Sequence, residues 1–175
     1  MTESQSRHSD HTAPAAHAVP AEYVLGIDHV GVAVSDFDAA LEWYARVLGM
    51  VCTHEEINEA QGVREGMLSP ASLLAADGAA GGAEGRASSR QAQLQVLAPL
   101  TPASTIAKFL DRNGPGMQQL AYRVSDLEAV TAHLQEQGVR LLYDAPRNGT
   151  AGSRINFLHP KDAGGILVEL VEPAS

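Results

Sequence analysis

The 175 residues carry 12 Lys and Arg against 21 Asp and Glu, a formal net charge of -9, and 45% of them are hydrophobic, enough chain for one substantial core. An acidic chain without a basic stripe excludes a nucleic-acid partner, whose phosphates require clustered Lys and Arg. Cys52 is the one cysteine, which excludes an internal disulfide and a thiolate metal cluster; with no run of 18 apolar residues and no apolar leader, a membrane span is excluded and the cytoplasm is expected. Charge is uneven: residues 1–100 hold 5 basic and 13 acidic side chains, residues 101–175 hold 7 and 8. A polyanionic ligand therefore approaches the second half more easily.

Residues 1–21 are rich in Ser, His, Ala and Pro with no periodic apolar face. That is the composition of a disordered tail, in which His8, His11 and His17 are solvated. YVLGIDHVGVAV, from Tyr23, reads as a strand. Ser35, with Asp38 three residues on, predicts a helix cap, and Leu41, Tyr44, Val47 and Leu48 supply an apolar stripe that stops at Gly49. Strands are expected over 50–56, 63–68 and 92–97, while the Ala-, Gly- and Ser-rich stretch 70–90 suits a surface loop. A linking helix is expected within about 101–113, with Ile106, Phe109 and Leu110 on one side and Asn113-Gly114 ending it.

The chain then repeats itself. GIDHVGVAVSDFDA (26–39) and GMQQLAYRVSDLEA (116–129) share a glycine, Val-Ser-Asp and a final alanine at a constant offset of 90. In the second copy Ser125 and Glu128 spell a capping box, Leu127, Val130 and Leu134 form the stripe, and strands are expected over 139–143, 154–159 and 166–171. Each copy is a βαβββ module, one about 23–98 and the other about 116–172, in a single α+β domain spanning 22–172. Small modules of this kind cannot each bury both sheet faces, so they pair, and a site at the junction draws equivalent positions from both. His29 then aligns with Gln119, and matching QLQVL (93–97) to LVELV (167–171) sets Gln95 opposite Glu169. One imidazole, one carboxylate and two amides without sulfur make a donor set for a hard or borderline divalent ion. Hydrogen-bonded core residues are the other reading of the same four.

The strings IDHVGVAV, EAQGVREGML, QLQVLAPL, STIAKFL, GVRLLYDAPRNGTAGSRINFLHPK and GGILVELVE run in order from Ile27 to Glu172. Together they resemble the methylmalonyl-CoA epimerases of the vicinal-oxygen-chelate superfamily. The resemblance implies two tandem βαβββ modules in a U-shaped mixed sheet around a divalent metal, Co, Mn, Ni or Mg, with His29, Gln95, Gln119 and Glu169 as ligands. Family members usually carry His-His where this chain has Gln118-Gln119. An amide oxygen is a harder, weaker donor than imidazole, which shifts preference toward Mg or Mn.

The implied activity interconverts (2R)- and (2S)-methylmalonyl-CoA, or a closely related alkylmalonyl-CoA. A weakly acidic α-proton is removed and one is returned on the opposite face, with the metal stabilising the enolate charge. The family's two bases fall on Glu65, within QGVRE, and on Glu169. Gln61 is expected to orient the substrate, and Arg154 and Lys161 to meet the phosphates and carboxylate of the acyl-CoA. A homodimer follows by analogy with the superfamily. Two other readings stay open: a glyoxalase-type isomerase of a glutathione hemithioacetal, and a non-catalytic small-molecule-binding protein whose metal site has decayed at Gln119.

Overall fold

The computed structural model describes residues 19–77 and 91–174. Residues 1–18 of the expected tail and 78–90 of the expected loop lie outside the described residues. Strand β1 (Val24–Ala33) leads to helix α1 (Phe37–Leu48), the hairpin of β2 (Met50–Asn58) and β3 (Val63–Pro70), helix α2 (Ala71–Asp77) and β4 (Gln93–Pro99). Helix α3 (Thr105–Asn113) links to the second copy: β5 (Gly116–Val124), α4 (Leu127–Glu136), a two-residue β6 (Arg147–Asn148), β7 (Arg154–Leu158) and β8 (Val168–Glu172).

Several boundaries differ from expectation for local reasons. The caps of α1 and α4 are Asp36 and Asp126, whose carboxylates accept from Ala39 N and Ala129 N, rather than Ser35 and Ser125. Ser125 is instead bound to the chain before β1, its N–H to Tyr23 O and its hydroxyl to Glu22 O. The linking helix begins at Thr105 because Ser104 caps it by accepting from Ala107 N. The predicted loop 70–90 opens as α2. Val19, assigned to the tail, packs on the core around Val124 and Leu170. The strand expected over 139–143 shrinks to one bridge, Leu141 to Leu158. There the Asn156 side chain takes the ladder's place, accepting from Tyr143 N at 3.3 Å and donating to Tyr143 O at 3.0 Å.

All eight strands join one mixed sheet in the order β2-β3-β4-β1-β5-β8-β7-β6. β1 and β5 pair antiparallel at its centre, with Val30 opposite Leu120, its own counterpart at the offset of 90. A pseudo-twofold axis therefore passes between these strands, and each copy adds its last strand parallel to its first. Strand alternation then divides the side chains. Val96 and Leu68 pack outward with Phe37, against α1, and Leu170 packs outward against Leu127 and Val130 of α4. Gln95, Leu97, Glu65, Glu169 and Phe157 face inward to a cavity. The sheet curls until its two edges meet, and Ala151, in the turn before β7, donates its N–H to Glu56 on β2. Among the described residues no helix is long and apolar enough to cross a membrane.

Candidate active site

The four residues selected by the repeat converge. Gln119 Nε2 lies 2.6 Å from Glu169 Oε2, 3.2 Å from Gln95 Oε1 and 3.3 Å from His29 Nε2, and His29 Nε2 lies 3.1 Å from Glu169 Oε2. All four are buried. Gly31 makes room for the arrangement: it stands opposite Gln119 across β1 and β5, where a Cβ would come within 2.6 Å of Gln119 Cγ.

Asp28, which sequence reasoning missed, orients the histidine. Its carboxylate meets His29 Nδ1 at 3.0 Å and accepts from Arg123 Nε at 2.7 Å, which leaves Nε2 as the nitrogen facing the centre. Burial opposes charge on both groups, yet the hydrogen bonds win. Asp28 is held below the usual carboxylate range by His29 and Arg123, and His29 is raised to about 9 by Asp28 and Glu169.

Gln95 joins this centre to Glu65. Its Nε2 donates to Glu65 Oε2 at 3.0 Å and to Thr150 Oγ1 at 3.0 Å, which fixes the amide and aims its oxygen inward. Glu65 is 2% exposed, and its Oε1 has no donor facing it. Burial foremost drives its pKa up to about 7, against the hydrogen bond from Thr150, and Glu56 and the charge of Glu169 add to the rise. Glu56 is the cross-strand partner of Glu65. Burial would raise its pKa, but hydrogen bonds from His54 and Ala151 N hold it low.

Glu65, Gln95, Gln119, Glu169, Gln61 and Thr150 share the wall of a cavity of about 120 Å³. Gln61 stands at its rim, in the β2–β3 turn, and also lines an adjoining cavity with Arg147. The structure does not bring Arg154 or Lys161 to this site. With Ile155 turned into the cavity, Arg154 faces outward, where Glu128 and Glu172 bind its guanidinium. Lys161 is exposed in the 3-10 turn Pro160–Asp162. Lys108 and Arg112 of α3, one helical turn apart, line a cavity of about 450 Å³ that shares Gln118, Leu142 and Leu167 with the main one. Gln118 Oε1 is buried there without a donor.

The donor set fits a divalent ion. His29 presents Nε2, Gln95 presents Oε1, Glu169 presents a carboxylate oxygen, and turning the Gln119 carboxamide over would bring its oxygen to the position its nitrogen now holds. Among the described residues no three His, Cys, Asp or Glu gather as a metal site, because two of these four are amides.

Paired βαβββ modules around such a centre define a class of metal-site folds, and residues 28–157 match the family model of the Glyoxalase/Bleomycin resistance protein/Dioxygenase superfamily. The crystal structure of methylmalonyl-CoA epimerase from Mycobacterium tuberculosis is 54% identical, with a TM-score of 0.75 over 91% of this chain and 95% of that one. A methylmalonyl-CoA epimerase in complex with methylmalonyl-CoA and NH4+ is 43% identical, with a TM-score of 0.74 over 87% and 96%. The ethylmalonyl-CoA/methylmalonyl-CoA epimerase of Cereibacter sphaeroides is 31% identical over 82% of this chain and 95% of its own. The chain belongs to the methylmalonyl-CoA epimerase family, a family of isomerases, within that superfamily.

Proposed function

We propose that the protein interconverts the two C2 epimers of methylmalonyl-CoA, or of a closely related alkylmalonyl-CoA, with Glu65 and Glu169 as its two acid-base groups. The observation that carries the reading is a pair of buried carboxyls on one small cavity, one of them with a pKa near 7 and so able to take or give a proton near neutrality.

A divalent ion held by His29, Gln95, Gln119 and Glu169 would supply Lewis-acid stabilisation of the negative charge that develops on the thioester oxygen. The protein's own groups do the rest. Gln95, itself tied to Thr150, holds Glu65 Oε2 by a hydrogen bond, leaving Oε1 to meet the α-proton. Asp28 holds the His29 ring. Leu97, Ile155 and Phe157 keep water from the reacting carbon. Gln61 orients the acyl head from the rim. The buried Gln118 carbonyl suits an amide N–H of the pantetheine arm, and Lys108 with Arg112 suits the phosphates beyond it. Exposed Trp43, Val47 and Leu48 on α1 suit a homodimer contact, which sedimentation measures directly.

The test is solvent exchange. Purified protein with methylmalonyl-CoA in deuterated water, first with chelator and then with added Co or Mn, is expected to show metal-dependent deuterium uptake at C2 and loss of chirality. Absence of exchange with every metal would refute the reading in favour of a non-catalytic binding protein.

A further inference from the structure

A two-base epimerase ends each turnover with its acid and base exchanged: one carboxyl holds the substrate's proton and the other has given its own away. The enzyme must be reset before the same epimer can react again. Glu65 is poorly placed to do this alone, since it is 2% exposed and faces the cavity its substrate would fill. On the epimerase reading, we propose that Glu56 and His54 form the relay that carries protons between Glu65 and solvent.

The path is built into the β2–β3 hairpin. Glu56 stands directly opposite Glu65 in register, so the two carboxyls share one face of the hairpin. Cross-strand partners hold their side chains within about 5.5 Å at Cβ, close enough for two carboxyls to share a proton, and Glu65 Oε1 is buried with no partner of its own. Glu56 Oε2 lies 2.5 Å from His54 Nε2, two residues back on the same strand face, and the side chains of His54 and Glu56 are 38% and 29% exposed. The Ala151 N–H, 3.1 Å from Glu56 Oε2, pins the carboxylate from across the curled sheet, and Ala151 adopts the left-handed φ of 53° to do it. His54 opens on a second cavity of about 360 Å³, lined also by Thr53 and Ala151 and, on its inner side, by His29 and Glu169, whose wall does not include Glu65. Neither His54 nor Glu56 lines the cavity that holds Glu65, so the pair reaches solvent from outside that cavity.

The proton count closes. Glu65, having taken the α-proton, passes a proton to the Glu56 carboxylate; Glu56 passes one to the His54 imidazole; the imidazolium releases one to water. Net, one proton leaves, Glu65 is again a carboxylate, and the reverse sequence loads it. Glu56 and His54 never touch the substrate and act only through Glu65.

Reset of the free enzyme enters kcat and not kcat/KM, whereas a misplaced Glu65 would lower both. Glu56→Gln and His54→Ala are expected to lower kcat by roughly tenfold or more, with kcat/KM held within about threefold. Free imidazole is expected to restore kcat to His54→Ala, and Glu56→Asp is expected to recover part of the loss. Equal falls in kcat and kcat/KM, no fall in either, or absence of imidazole rescue would overturn the relay. So would a kcat-only defect in Thr150→Val with Glu56→Gln unaffected, since that would place the exit at Thr150, which lines both cavities. A wild-type protein that turns over no methylmalonyl-CoA would overturn the relay together with the epimerase reading, whereas active wild type with unimpaired variants would overturn the relay alone.

Discussion

Glu65 is costly to the fold that holds it. In the unfolded chain its carboxyl titrates near 4.5, and in the folded protein near 7. Between those pH values the folded chain binds more protons, so stability falls as pH rises through the window, by at most roughly 3 kcal/mol for a gap of that size. Glu65→Gln is therefore expected to raise denaturant stability at pH 8 while leaving it nearly unchanged at pH 4, and to flatten the dependence between. The same variant is expected to lose turnover with its metal content intact; a variant as active as wild type would remove Glu65 from the chemistry. Catalysis has the opposite slope, because the deprotonated base is the working form. For the epimer whose proton goes to Glu65, kcat/KM is expected to rise through about pH 7. At the other pole of the site, Gln119 fills the centre with its own amide nitrogen. Gln119→His replaces a weak amide donor by imidazole and is expected to tighten Co binding by about one to two orders of magnitude. An unaltered titration would show that this side chain is not a ligand.

At the scale of elements, what was legible in the sequence follows period and repeat. The offset of 90 located His29 and Gln119, and the match of QLQVL (93–97) to LVELV (167–171) located Gln95 and Glu169, because both signals are local and the pseudo-twofold axis converts them into proximity. Alternation also held the correction for Arg154: a residue next to inward Ile155 must face outward, and Glu128 and Glu172 claim it there. The Glu56–Glu65 pairing was legible only through the register of the hairpin, not through the strand assignments. Thr150 was not legible at all, since it lies in a short 3-10 turn with no periodicity to announce that it reaches Gln95 and Glu65 across the sheet. Gly31 shows how tightly the central pair depends on one element. A Cβ there would meet Gln119 Cγ at 2.6 Å and Leu97 Cδ1 at 3.3 Å. Gly31→Ala is expected to lower stability by about 1–3 kcal/mol through overpacking, and to weaken metal binding by pushing Gln119 off centre. Thermal melts and a Co titration of the variant check both, and intact metal affinity would mean that the strands separate to make room.

The whole molecule carries -9, yet its acidic excess lies almost wholly in residues 1–100. On the proposed function a polyanionic thioester would enter past Lys108 and Arg112, exposed on α3, beside the Gln118, Leu142 and Leu167 wall that their cavity shares with the main one. On that reading these cations would lie far from the reacting carbon, bind the substrate equally in its ground and transition states, and belong in KM rather than kcat. Lys108→Ala with Arg112→Ala is expected to raise KM for methylmalonyl-CoA by roughly tenfold with kcat nearly unchanged. Added salt should raise the wild-type KM and have little effect on the double variant, because screening removes the attraction that the substitutions remove. A methylmalonyl thioester of pantetheine, which lacks the nucleotide phosphates, should be turned over alike by both proteins. If the double variant handles CoA and pantetheine thioesters with unchanged KM, the phosphates bind elsewhere, and Arg147 on the cavity beside Gln61 becomes the residue to replace.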